Sequence, residues 1–248
     1  MPPKTPKNKN PWQKSNSLRL QYERQLRKIG REVGRVIEGY RINNPSDARK
    51  AQDALQRYAD LLAPWATHTA RTMLSAADLQ DQRAWRIASK EIGVNLRREI
   101  ETASIGAVFR QLMEEQVTLI TSLPIVAGQR VHALATEAMI NGERAGEIAK
   151  EIARSGEVTE SRAMTIARTE TSRASSVLTQ ARAQSIGSDG YVWRSAKDSR
   201  VRESHRKLEG KVIEWNHPPE CDPGYHAHAG CIFNCRCWCE VIIPRRVA

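Results

Sequence analysis

Cysteine is missing from the first 220 residues of this 248-residue chain. That absence excludes a disulfide framework for most of the molecule. All five cysteines, Cys221, Cys231, Cys235, Cys237 and Cys239, stand near its end. Aromatic residues are also scarce, at 5% with only two Phe, which argues against a β-sandwich core and for a helix-rich chain. No run of eighteen apolar residues occurs, so no membrane-spanning segment is expected. The basic beginning is not followed by an apolar core of signal-peptide type, so a cytosolic life is expected. An odd cysteine count and a reducing compartment then both disfavour stable disulfides.

What is present is charge, unevenly placed. The formal net charge is +11, and residues 1–35 carry five Lys and five Arg against two Glu. With Pro2, Pro3, Pro6 and Pro11, residues 1–15 read as a disordered basic arm that attracts polyanions. Lys4, Lys7, Lys9, Lys14 and Arg19 are its candidate contact residues. A solubilising tail is the plainer reading of the same residues.

Helical periodicity dominates from about residue 16. Leu18, Tyr22, Leu26, Ile29, Val33 and Ile37 recur at three- and four-residue steps and predict one apolar stripe. A second helix is expected to open at "NNPSD" and break at Pro64, and a later one to stop at Pro124. Asn141-Gly142 predicts a turn, Gly156 a helix end, and a further helix runs from about Thr159 to Ser185. Beyond "GSDG" the pattern shortens. "YVWRS", "KVIEW" and "CRCWCEVIIP" read as strands, with a short helix ended by Gly210 and a Pro-, Gly- and His-containing loop between them. The fold class predicted is α+β: a mainly helical N-terminal body, then a small mixed α/β module from about residue 188. The expected domains are the arm 1–15, a helical region 16–114 and a functional domain 115–248.

Three constellations carry chemistry. In an extended strand Cys235, Cys237 and Cys239 share a face, with same-face positions about 6.6 Å apart, so a straight strand offers a metal one thiolate, or two with a kink. Cys221, His226, His228 and Cys231 complete the supply of ligands for a zinc ion, alongside Cys235 and Cys237. Thiols packed as small apolar residues, or a cysteine nucleophile, are the other readings. Asp198 and His205, seven residues apart on an expected helix, suit general acid-base work in a hydrolase. Ser195-x-x-Asp198 equally reads as a capping box. Lastly, Glu170 falls on an apolar stripe of Ala163, Ile166, Ala174, Val177 and Ala181. A carboxylate there needs a partner. A cation of the C-terminal module suits the position better than Arg168 or Arg173.

The order of these pieces resembles the phage Mu F-like family of minor head, or head morphogenesis, proteins. It runs from "EEQVTLITSLP" through "RAMTIARTETSRA" and "VWRSAKDSRVRESHRKLEGKVIEW" to "NCRCWCEVIIP". The residues that carry it are Arg168, Thr169, Glu170, Trp193, Asp198, Arg200, His205, Gly210, Asn234, Cys235, Arg236 and Cys237. Cys239 and the loop "ECDPGYHAHAG" have no place in that pattern. The resemblance implies a late virion component inside the capsid, made in the host cytoplasm and associated with the portal and the capsid interior or scaffold. Such a component acts in head assembly, DNA packaging and ejection, and meets packaged double-stranded DNA. No base-reading motif is visible, so DNA contact through the arm should be independent of sequence. A metal-dependent hydrolase or nuclease built on the Asp, His and Cys residues is the alternative. The thiol cluster is expected to organise structure, joined by Asp198 and His205, and any metal is expected to be zinc closed to substrate.

Overall fold

The apolar stripe of residues 18–37 is the buried face of helix α1 (Asn16–Gly39), where Leu18, Tyr22, Leu26, Ile29, Val33 and Ile37 are all buried. In the computed structural model, residues 10–13, 16–40, 42, 44–91, 96, 99, 101, 103, 105–141 and 145–244 are described. Lys4, Lys7, Lys9 and Lys14 of the basic arm lie outside them. Arg19 lies in α1, and its Nη1 is 2.6 Å from Glu23 Oε2. The longer helices are α2 (Pro45–Glu91), α3 (Gly106–Asn141) and α5 (Ser155–Ser185), with the shorter α4 (Ala145–Ala153) before the last. No helix among the described residues is long and apolar enough to cross a membrane.

The chain divides into two compact units that interleave in sequence. One, whose described elements are all helices, is built from Ser17–Leu74 and Arg110–Glu170. The other combines the start of the chain, Ser75–Phe109 and everything from Thr171 onward. Stretches on both sides of residue 115 therefore contribute to each unit.

In the helical unit two prolines expected to end helices sit inside them. Pro64 lies within α2 and Pro124 within α3. A mid-helix proline loses a hydrogen bond and crowds the preceding turn, costing about 3 kcal/mol. Burial on both sides offsets this: Leu62 and Ala66 flank Pro64, and Ile120, Leu123 and Ala127 surround the buried Pro124. The start of α2 follows expectation, because Asn44 Oδ1 accepts the Asp47 N–H at 2.9 Å and Pro45 opens the helix. Gly156 does not close a helix. It lies in the first turn of α5, where an added Cβ would come within 2.8 Å of Gly34 Cα. One turn earlier on α1, a Cβ on Gly30 would meet Glu160 Cγ at 2.5 Å and Glu160 N at 2.7 Å. Small residues here let two helix backbones touch, a role that punctuation rules for glycine do not anticipate.

The second unit carries the sheet. Strands β1 (Gly190–Ser195), β2 (Val212–Glu214) and β5 (Cys237–Val241) form an antiparallel sheet in the order β2-β1-β5. All three coincide with the strands read from sequence, which completes the α+β architecture. Across β1 and β5 the register sets Trp193 opposite Cys239 and Ser195 opposite Cys237. Alternation on β5 buries Cys237, Cys239 and Val241 while Trp238 and Glu240 are only partly covered. These thiols join Tyr191, Trp193, Trp215 and Trp85 in one core. The loop read between "KVIEW" and the last strand holds a small hairpin, β3 (Glu220–Asp222) and β4 (Tyr225–His226), turned at Gly224 with φ 75°. The helix expected across residues 197–210 shrinks to one turn, α6 (Glu203–Arg206).

Candidate metal centre

The chain turns just before the paired thiols. Asn234 adopts φ 51°, a left-handed conformation that asparagine tolerates better than most residues. Strand β5 begins at Cys237, so Cys235 lies outside it and the same-face spacing of about 6.6 Å does not apply to this pair. Both sulfurs converge on one imidazole. Cys235 Sγ lies 3.5 Å and Cys237 Sγ 3.4 Å from His205 Nδ1. His205 comes from α6 and is 2% exposed, Cys235 is 7% and Cys237 1%. Their ligand atoms all lie within 4.8 Å of one another.

The other side of the ring is also arranged. His205 Nε2 is 3.7 Å from Asp222 Oδ1 and has no hydrogen-bond partner. Asp222 is held in turn by the Ser204 hydroxyl at 2.8 Å and by Arg202 Nη1 at 3.5 Å. Trp193 stands edge-on to the ring, with centroids 5.5 Å apart. The interaction with Cys237 is the largest influence on the Cys235 thiol; burial opposes it and His205 reinforces it, leaving the thiol down at about 4. A buried sulfur held in its thiolate form is a ligand for a soft or borderline cation.

Of the six expected metal ligands, Cys235 and Cys237 are brought together. The remaining four have other surroundings. Cys221 is fully buried with Sγ 3.5 Å from the Tyr225 carbonyl, and burial pushes its thiol up. His226 is exposed and its Nδ1 lies 3.2 Å from the Pro218 carbonyl. His228 sits between Tyr191 OH at 3.3 Å and the Trp215 carbonyl at 3.1 Å, with burial lowering its pKa. Cys231 is partly buried. Among the described residues, the His205, Cys235 and Cys237 group is the candidate that satisfies ligand geometry.

Asp198 does not share a helix face with His205. It lies in the turn before α6, whose N-cap is Arg202 with no side-chain cap bond. Nor does the capping box form. The Ser195 N–H instead donates to Glu209 Oε2 at 2.6 Å. Asp198 accepts the Arg200 N–H at 3.1 Å and a short bond from the Arg236 guanidinium. Burial acts upward on its carboxyl, but these bonds and charges hold it below the usual range. Arg200 is exposed and reaches Asp198 Oδ2 at 3.9 Å. Asp198 thus ties the turn after β1 to Arg236, the residue between the paired cysteines.

Residues 129–240 match the family described as "Phage Mu protein F like protein". This segment belongs to the phage Mu F-like family. The match opens within α3 and closes in β5, so it takes in the whole candidate centre. An uncharacterized protein of Haemophilus influenzae is 39% identical over 54 residues, covering 22% of this chain and 11% of that protein. The chain therefore spans about a tenth of the length of that relative. No solved structure matches.

Within the Mu F-like segment, the residues that carried the resemblance have unlike settings. Trp193, His205, Cys235 and Cys237 are buried around the centre, while Asn234 supplies the turn and Arg236 the link to Asp198. Arg168 is exposed on α5 and Glu170 is buried in the helical unit. Gln116, a neutral amide, is one partner of Glu170. Gln116 Nε2 donates to Glu170 Oε2 at 2.6 Å, and the Tyr22 hydroxyl donates to Gln116 Oε1 at 2.9 Å. Sequence reading missed Gln116 and Asp222. Asp222 had one signal: it begins the Asp-Pro-Gly turn that fixes a hairpin edge.

Proposed function

We propose that this phage head morphogenesis protein is a minor component of the capsid interior. In this reading it works with the portal during assembly, packaging and ejection of DNA. The observation that carries the reading is the family match over residues 129–240. The charge distribution supports the DNA part, since five Lys and five Arg stand in the first 35 residues against two Glu. Lys4, Lys7, Lys9, Lys14 and Arg19 are the proposed contacts, each neutralising a phosphate without reading a base.

Deleting residues 1–15 from the full chain and measuring duplex-DNA binding across a salt series tests the DNA role. The truncated protein should bind more weakly and show a shallower dependence of log affinity on log salt. Unchanged affinity and slope would reduce the arm to a tail. Incorporation of the protein into heads, and its capture by purified portal, test the assembly role.

A metal-dependent hydrolase or nuclease is the second reading. The observation in its favour is the convergence of His205 with two thiols beside Asp222. Against it, Asp198 is engaged by Arg236 and Arg200, and His205 is 2% exposed, so substrate has little access to the imidazole.

A further inference from the structure

We propose that His205 Nδ1, Cys235 Sγ and Cys237 Sγ are three ligands of one bound zinc ion, with Asp222 fixing the imidazole from behind. The proposal stands on the site's geometry and does not depend on the role of the protein in the head.

Distances carry the argument. A tetrahedral zinc ion with Zn–S near 2.3 Å and Zn–N near 2.0 Å sets its nitrogen and sulfur ligands about 3.6 Å apart. The two N···S separations here are 3.5 and 3.4 Å. A hydrogen bond explains this arrangement less well, because one ring nitrogen offers a single proton or a single lone pair. It cannot satisfy two sulfurs with good geometry at once. A cation on the Nδ1 lone pair serves both.

The second ring nitrogen makes the same point independently. Nε2 belongs to a residue 2% exposed, carries no hydrogen bond and faces Asp222 Oδ1 at 3.7 Å. A histidine that gives one nitrogen to a metal directs its other N–H toward a carboxylate, which fixes the tautomer and strengthens the ligand. Ser204 and Arg202 hold that carboxylate in place. The donor set, two thiolates and an imidazole without oxygen, favours zinc over magnesium or calcium. Both sulfurs bind as thiolates, so metal uptake releases thiol protons to solvent and places the ion between α6 and the beginning of β5.

The test uses the full-length protein purified without chelator. Elemental analysis should find about one zinc per chain. Cobalt(II) exchanged into the site should give intense thiolate-to-cobalt charge-transfer absorption. Cys235→Ser and Cys237→Ser should each lose most of the metal, and Asp222→Asn should keep the cobalt spectrum while weakening zinc binding about ten- to a hundredfold. If the serine variants do not fold, wild-type stoichiometry, the cobalt spectrum and the Asp222→Asn affinity still decide. A wild-type protein that takes up no zinc and gives no thiolate absorption with cobalt overturns the proposal. So does full zinc retention by both serine variants.

Discussion

His205 and Asp222 face each other across 3.7 Å, with the carboxylate on Nε2 and two thiols on Nδ1. The imidazole therefore joins two elements, the β3 hairpin and the start of β5. If the sulfur side is bridged by zinc, the ion is a structural clasp for the small sheet. Removing it leaves two buried sulfurs against one ring nitrogen.

Stripping the metal from the folded protein with a strong chelator should lower the melting temperature of the sheet-bearing unit, and readdition of zinc should restore it. Differential scanning calorimetry before and after chelation measures both steps. An unchanged transition would mean the three side chains hold each other without help.

The Tyr22–Gln116–Glu170 chain is buried, and burial, reinforced by the Glu170 charge, pushes the Tyr22 phenol upward. Gln116→Leu removes the group that bridges the other two, and is expected to cost about 3 kcal/mol. Tyr22→Phe removes one donor only and should cost about half as much. Urea unfolding of the two variants should preserve that order.

Gly30→Ala should destabilise the helical unit by about 1–3 kcal/mol, because the new methyl meets Glu160 backbone as well as its side chain. Gly39, with nothing within 4 Å of its added Cβ, provides the opposite case. There alanine should be neutral or stabilising by up to about 1 kcal/mol. Equal effects at the two positions would refute close backbone contact between α1 and α5.

Asp81 is buried in the sheet-bearing unit, where it accepts from Thr179 and Arg182 at 2.5 Å, and Arg182 also reaches Asp78. Burial raises its carboxyl from 3.8 to about 6, against the pull of Arg182. Between these values the folded state holds the proton that the unfolded chain has released. This contribution to stability is therefore complete below about pH 4 and is lost as the pH rises to about 6. Asp81→Asn removes the titration. Wild-type stability minus that of the variant should fall by about 1.4 kcal/mol per pH unit through the window. A difference that grew with pH would show that Arg182 outweighs burial.

How far the sequence carried these conclusions depended on whether the deciding contact was local. The α1 stripe was legible because all six of its apolar residues answer to one helical period. The strand of Cys237 and Cys239 was legible for the same reason at period two. Pro64, Pro124 and Gly156 misled because burial and helix contact overrode local punctuation. At the candidate centre, Cys235 and Cys237 stood out from the start, but His205 was paired with Asp198 on a helix that is only one turn long. Both thiols reach the same nitrogen because Cys235 lies outside β5, a strand boundary that the alternating pattern of the cysteines does not reveal.

X-ray absorption at the zinc edge on the full-length protein reads the ligands of the ion directly. Two sulfurs at about 2.3 Å and an imidazole nitrogen at about 2.0 Å are expected around the metal, with loss of one sulfur in Cys235→Ser. A shell of nitrogen and oxygen alone, or one unchanged by that substitution, would contradict zinc binding by these residues.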